Sequence, residues 1–472
     1  MTTAVVVGSG PNGLAAALTL ADAGVDVTVL EAAPTIGGGT RSVEATLPGL
    51  LHDECSGFHP LALDNRFSRA FDLGAHGLEW AWAPVEYAHP IDGGSGGAVV
   101  RSVGTTADSL GADARAYRRV FGPLAQRFGA ISEEFLQPML HVPRHPVALG
   151  LFGATAALPA SWVARRFRTE EGRALWAGVA AHAFRPLGSL MSSAIGGALG
   201  TAAHHAGWPV AVGGSQSIAD SMAAALSKRG GRVEVGRHVR DVAEIAEYDV
   251  RLLDLSPGAA ADLLQGHQRR LVSRAYRRFK PGPGAYQVAL AVEGGIPWTY
   301  EPARSAGTIH VGGSFADIAQ AEREVWAGRM PERPFVLLGQ QYLADPSRSQ
   351  GDLHPVDAYA HVPYGYEGDA TEAILGQIER FAPGFRDRVV AMTRRTPADI
   401  GADNPNMLGG DIVAGANTVR QLVLRPRLTL DPYDAGMPGT YLCSAATPPG
   451  AGAHGMAGHL AASSALRDLA RG

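Results

Sequence analysis

Ala4-Val5-Val6-Val7-Gly8-Ser9-Gly10-Pro11-Asn12-Gly13 is the stretch on which the fold of this chain turns. A short apolar run rich in β-branched residues suits a parallel strand covered on both faces. The glycine turn that follows leads into Leu14, Ala17, Leu18 and Ala21, spaced as one apolar helical face, and Gly24 stands where that helix should stop. Val27 to Leu30 then reads as a second strand, ending in Glu31. A G-x-G-x-x-G pattern alone is weak in a chain with 60 glycines, so the strand before it and the helix, strand and acid after it carry the assignment. Gly8 allows the tight turn, Gly10 lets the backbone approach a pyrophosphate, and Gly13 lets helix and strand pack closely. With Pro11 and Asn12 they place a helix N-terminus against the phosphates. Glu31, about 20 residues on, is placed to accept hydrogen bonds from ribose hydroxyls and to repel a 2′-phosphate.

A second glycine turn, Gly37-Gly38-Gly39-Thr40-Arg41, follows Glu31, and a simple nicotinamide dehydrogenase does not require it. Here the chain resembles the large FAD-dependent family of amine oxidases, phytoene desaturases and carotenoid isomerases. The segment from His52 to Pro60, the run from Asn404 to Ile412, and Arg425-Pro426 resemble its phytoene-desaturase-like branch. Within that branch the likeness is nearest to flavoproteins of the pyridine nucleotide-disulphide oxidoreductase domain-containing protein 2 type, although no dithiol pair is present.

That resemblance implies FAD as cofactor and an α/β fold, with a Rossmann-like FAD-binding domain interleaved with a discontinuous α+β substrate domain. It sets residues 1–85, 205–275 and 405–472 in the first and 86–204 and 276–404 in the second. It also implies cofactor contacts at Gly38, Gly39 and Arg41, and a backbone contact from Val239 to the adenine end. In amine oxidases an arginine directly follows the glycine pair; here Gly39 takes that place.

Toward the C-terminus, Thr440 to Ser444 reads as a strand, and Pro448-Pro449-Gly450-Ala451-Gly452-Ala453-His454-Gly455-Met456 leads into a helix through Leu469. By resemblance this is the flavin segment, with backbone contacts from Gly452, Ala453 and Met456. A helix N-terminus there offers N–H donors to the flavin edge where negative charge collects on reduction. His454, His59 and Asp411 are the candidate acid/base residues, because they lie in the flavin-proximal segments and imidazole titrates near neutral pH.

The remaining composition narrows the function. At 472 residues, two or three domains of roughly 100–200 residues are expected. With 41 Lys and Arg against 45 Asp and Glu and no dense basic run, nucleic acid is not an expected partner. Cys55 and Cys443 form no Cys-x-x-Cys pair and read as small buried hydrophobes. The 16 His form no H-E-x-x-H or comparable cluster, so no metal site is expected.

Met1-Thr2-Thr3 enters a strand at once with no basic or apolar leader, which places the chain in the cytoplasm. Residues 147–163, flanked by Arg144, Arg165 and Arg166, read as a core helix with solvated ends, or alternatively as a membrane-facing entrance. Strand-like runs between Tyr286 and His361 suggest a sheet that floors a substrate pocket, with Tyr364 and Tyr366 as candidate lining.

The expected chemistry is dehydrogenation of a largely apolar, polyene- or polyketide-like molecule. The electrons pass to oxygen or a quinone, with NAD(P) open as a transient partner. A redox-neutral isomerase, an amine oxidase and a flavin-binding protein without turnover stand as alternatives. The sequence does not specify the oligomeric state.

Overall fold

The computed structural model describes residues 1–471. The elements that build its two sheets begin with β1 (Thr3–Val7), α1 (Pro11–Asp22) and β2 (Asp26–Leu30). The chain then crosses to a second layer for β3 (Val85–Pro90) and β4 (Gly96–Val99), and runs through a helical region that includes α2 (Glu170–Ala181). It returns as α3 (Gln216–Ser227), β5 (Arg232–Glu234) and β6 (Val250–Leu253). A second excursion supplies β7 (Gly284–Glu293), β8 (Ala306–Val311), β9 (Val336–Gly339), β10 (Leu353–Val362), α4 (Thr371–Phe381) and β11 (Val389–Arg395). The chain closes with β12 (Thr440–Leu442) and α5 (Met456–Leu469).

The first sheet is wholly parallel, in the order β12-β6-β1-β2-β5. Val6 sits between Leu252 and Val29, and Ala4, Val5, Val6 and Val7 are all buried, which is why the strand reads as a continuous apolar stretch. Because β1 has β2 on one side and β6 on the other, its carboxyl end is the point where strand order reverses, and α1 starts there. Helix α5 packs against α1 so closely that a Cβ on Gly458 would lie 1.8 Å from the Asn12 carbonyl oxygen. The N-terminal and C-terminal ends of the chain are thereby locked together.

The second sheet runs β11-β7-β10-β9-β8-β3-β4 and is antiparallel except where β3 meets β8. Strand alternation divides its faces. Val288, Leu290, Ile309, Val311, Leu338 and Val356 pack on one side with Ile374, Ile378 and Phe381 of α4. Tyr87, His89, Thr308, His310, Leu337, Tyr359 and His361 occupy alternating positions of the other. The fold is therefore α/β, a Rossmann-like domain interleaved with a discontinuous α+β domain.

The region at 147–163, expected as a core helix with solvated ends, is broken at Pro159 into two short helices. Pro159 ends one helix, Pro146–Ala156, before a second, Ala160–Ala164, begins. Proline lacks the N–H and restricts the residue before it, so the helix stops there. Val147 and Trp162 are 78% and 55% exposed. Among the described residues no helix is long and apolar enough to cross a membrane.

Candidate active site

The glycine turn closes as its spacing predicts, but two of its contacts come from far along the chain. Gly8 adopts φ +100°, where a side chain is strained, and its N–H donates to the Leu30 carbonyl at 2.8 Å. A Cβ on Gly13 would stand 2.1 Å from the Gly8 carbonyl oxygen, so close helix–strand packing is the reason for that glycine. Gly10 carries a further constraint from within the protein. Its Cβ would meet Asp254 Oδ2 at 2.7 Å, so the constraint visible in the protein is a carboxyl group beneath the turn. Asp254 follows β6, and its Oδ2 accepts from Gly13 N–H at 3.0 Å. Burial pushes its carboxyl up to about 7, with Glu31 adding to the rise and the Gly13 N–H opposing it.

Glu31 is buried at the end of β2. One carboxylate oxygen accepts from Ser9 N–H and Ser9 Oγ at 2.8 and 2.6 Å, and the other from Ala33 N–H at 2.8 Å. Its position is thus fixed by backbone on both sides. Val239 packs in the cluster that holds Val5 and Leu30, and Arg237 N–H donates to the Glu31 carbonyl at 2.7 Å, bringing that loop alongside the acid.

The second glycine turn stacks on the first. Gly37 N–H donates to the Ser9 carbonyl at 3.0 Å, and a Cβ on Gly38 would lie 3.1 Å from Gly10 Cα. A Cβ on Gly39 would lie 2.9 Å from Met407 Cε, which brings the 404–407 loop over the turn. Arg41 donates to the Thr35 carbonyl and lies 3.7 Å from Glu31. Two buried polar atoms in this cradle, Asn12 Oδ1 and Arg41 Nε, have no partner among the described residues. A buried polar group is ordinarily paired, so both fit a polar ligand laid across the two turns.

A cavity of about 200 Å³ opens where the first domain meets the cavity face of the second sheet. Residues 451–454 and 55–62 form one side; Thr308, Leu337 and Tyr359 of the sheet form its floor, with His182, Leu199 and Trp208 closing it. A smaller cavity of about 80 Å³ adjoins it through Cys55, Phe58 and Tyr359 and reaches Arg394 and Arg395. Cys55, expected to be a buried hydrophobe, is half-buried and lines both; burial pushes its thiol up to about 11. Cys443 is buried in the first domain's core as expected.

Both candidate histidines reach the larger cavity, and hydrogen bonding fixes their protons. Ser215 Oγ donates to the Ser56 carbonyl at 2.6 Å, so it accepts from His59 Nε2–H at 2.9 Å, leaving Nδ1 bare and without a partner. His454 Nδ1 accepts from Met456 N–H at 3.1 Å. Burial lowers each imidazole to about 4. Neutral imidazoles that resist protonation to this degree are poor proton shuttles at neutral pH.

Met456 is corrected by the same bond, because its amide caps on His454 and is not free for a ligand. The next first-turn amides are those of Ala457 and Gly458, and Gly458 packs against Asn12 of α1; from this segment residues 451–454 line the cavity.

Asp411 is corrected outright. Its carboxylate accepts from Gly282 and Gly415 N–H, each at 2.8 Å, and from Val413 N–H at 3.2 Å, and it lines neither cavity. It organises a loop. Tyr364 is 48% exposed and Tyr366 packs beside the second sheet's core, so neither lines the pocket. Among the described residues no group of three potential ligands could hold a metal ion.

Beneath His59 lies a buried charge network. Arg348 is fully buried and donates to Asp53 at 2.7 Å, to Asp345 at 3.3 Å and to the Ala211 carbonyl. Asp53 in turn accepts from Ser215 N–H at 2.8 Å. Removing one partner of a buried pair leaves an uncompensated charge. Arg348→Met is expected to cost about 3–5 kcal/mol of stability, read as a lower urea midpoint with an unchanged slope.

Residues 6–82 match the model of the NAD(P)-binding Rossmann-like domain. Over 99% of its length the chain is similar to pyridine nucleotide-disulfide oxidoreductase domain-containing protein 2 of Mus musculus, at 25% identity, covering 93% of that relative. Among solved structures, a putrescine oxidase superposes with a TM-score of 0.63 at 16% identity, each chain covered in full. Cyclohexylamine oxidase from Brevibacterium oxydans gives 0.57 at 18% identity, again over both whole chains. At such identities the structural likeness is one of fold.

Proposed function

We propose that the chain is an FAD-dependent oxidoreductase that dehydrogenates a largely apolar small molecule. The observation that carries this reading is the larger cavity, walled jointly by the entry to α5, the 55–62 segment and the second sheet. In this reading residues 1–85, 205–275 and 405–472 hold the cofactor, and 86–204 and 276–404 hold the substrate. The stacked glycine turns, Glu31 and the unpartnered Asn12 and Arg41 atoms would hold the dinucleotide. When bound, FAD supplies the hydride acceptor. Phe58, Leu199, Trp208 and Leu337 exclude water and orient the substrate, and the neutral imidazoles of His59 and His454 keep the chamber free of charge. With neither imidazole poised to take it, the substrate's proton leaves to bulk solvent beyond the cavity mouth, and the electrons leave to oxygen or a quinone.

The amine-oxidase alternative is disfavoured by the lining of the larger cavity, which includes no acidic side chain among the described residues. A cationic amine would be desolvated there without a counter-charge. The general test is anaerobic titration of the flavin-loaded protein with fractionated apolar metabolite extracts. Flavin bleaching by one fraction supports the reading, and a flavin that no fraction reduces or consumes favours a binding protein without turnover.

Asp254 adds a pH signature. Its carboxyl, lifted to about 7, is neutral below that value and charged above it. A charged Asp254 beneath the turn opposes a pyrophosphate. FAD affinity of the apoprotein is expected to fall by up to about tenfold per pH unit above pH ~7. Asp254→Asn keeps an acceptor for Gly13 N–H and should flatten that dependence in a fluorescence titration.

A further inference from the structure

The cavity face of the second sheet carries His89, His310 and His361, and His182 follows α2 above them. His89 Nε2 lies 2.7 Å from the Gly313 carbonyl, so it donates and its unpartnered Nδ1 is bare. His361 bonds Glu322 through Nδ1 at 2.6 Å and leaves Nε2 without a partner.

His182 Nε2 and His310 Nε2 are 2.9 Å apart, so one donates and the other accepts. Desolvation keeps both rings neutral. His310 Nδ1 is buried among Tyr87, Trp208 and Phe335 with no partner. A proton on that atom would be a buried N–H with no acceptor, which proteins avoid more strictly than a bare lone pair. The arrangement that avoids it has His310 Nε2–H donating to His182 Nε2, with the second proton of the pair on His182 Nδ1.

His182 lines the larger cavity, and its Nδ1 has no partner among the described residues. Thr308, two residues before His310 on the same strand face, lines that cavity too. It is 1% exposed, and its hydroxyl is likewise unpartnered. No Lys, Arg, Asp or Glu is among the residues lining this cavity.

We propose that His182, set as its Nδ1–H tautomer by His310, and Thr308 donate hydrogen bonds to an uncharged carbonyl-class oxygen of the substrate. The substrate is then an apolar molecule that carries such an oxygen, not a pure hydrocarbon. This inference rests on the reading of the cavity as the substrate chamber. A carbonyl oxygen has two lone pairs and suits two donors, whereas a carboxylate would be desolvated there without a cation.

The test uses the flavin-loaded full chain and the ketone 4-phenylcyclohexanone, with phenylcyclohexane as the probe that lacks the oxygen. Infrared difference spectra of the bound ketone are expected to show its carbonyl band below the position in hexane. That shift is reduced in His182→Phe and in the isosteric Thr308→Val. Each variant should bind the ketone about five- to tenfold more weakly while binding phenylcyclohexane as the wild type does.

An unshifted carbonyl band, a shift unchanged in a folded variant, or no ketone binding at all would overturn the proposal. Thr308→Val keeps it testable if His182→Phe does not fold. Probe binding is read without turnover. A wild-type protein that takes up no FAD would defeat the cofactor reading, and the same ketone measurement on the unloaded full chain then decides this one.

Discussion

A Gly13→Ala variant is expected to lose bound FAD, with affinity reduced by more than about 100-fold, equivalent to roughly 2.7 kcal/mol or more. The methyl would stand 2.1 Å from the Gly8 carbonyl oxygen and 3.1 Å from Asp254 Oδ2. The first of these atoms is backbone held by the β1–β2 register, so it cannot step aside. Relief requires the start of α1 to move, and that helix start is the anion site. Gly10→Val should behave similarly, because its Cβ meets Asp254 Oδ2 at 2.7 Å.

Gly24→Ala is the informative control. It also sits at positive φ, +83°, but nothing lies within 4 Å of its Cβ. Only conformational strain of about 1 kcal/mol is expected there, with flavin retained. Flavin stoichiometry after gel filtration, read by absorbance, separates the two. Full stoichiometry in Gly10→Val would count against the dinucleotide assignment.

The second large effect is acid lability well above the carboxylate range. His59, His89, His182, His204, His310 and His454 are all held below the ordinary 6.5 by burial, four of them at about 4 and His182 at about 3. In the unfolded chain these rings take up protons near pH ~6.5, whereas the native protein takes them up only near pH ~4 and below. Stability is therefore complete above pH ~6.5 and is lost as pH falls through that window. Each pKa unit corresponds to about 1.4 kcal/mol, so one ring moved from 6.5 to about 4 accounts for roughly 3 kcal/mol.

His182 and His310 are coupled and do not simply add, yet even two or three independent rings rival a usual net stability of about 5–15 kcal/mol. Glu86, Asp254 and Asp411, whose carboxyls burial raises, act in the opposite sense and are fewer. Melting temperature should begin to drop just below pH ~6.5 and collapse before pH ~4. A melting temperature flat to pH ~4.5 would contradict the buried neutral rings.

What was legible in the sequence was what is contiguous. Strand, turn, helix, strand and acid span residues 3 to 31, so periodicity and glycine spacing sufficed, and the C-terminal helix from Met456 to Leu469 was likewise readable from its own pattern. The partners that arrive across the fold were not. Asp254 reaches Gly13 from 241 residues away, and no local signal marks it beyond an acid at the end of a strand. His182 owes its place in the cavity to α2 packing on the second sheet, a tertiary fact.

Local pattern misleads where a backbone amide or carboxylate has a competing partner. Met456 N–H goes to His454, and the Asp411 carboxylate is filled by three amides, which local patterning does not reveal. Ser9 stands at a position the glycine motif leaves open, and both its N–H and its hydroxyl hold Glu31.

The most direct test of the central claim is an absorbance spectrum of the purified protein before and after heat release of the cofactor, with chromatographic identification of what is released. The expected result is a yellow protein that releases FAD in near-equal stoichiometry with the chain. A colourless protein that FAD cannot reconstitute would contradict the claim, and would mean that the stacked glycine turns serve another nucleotide or the fold alone.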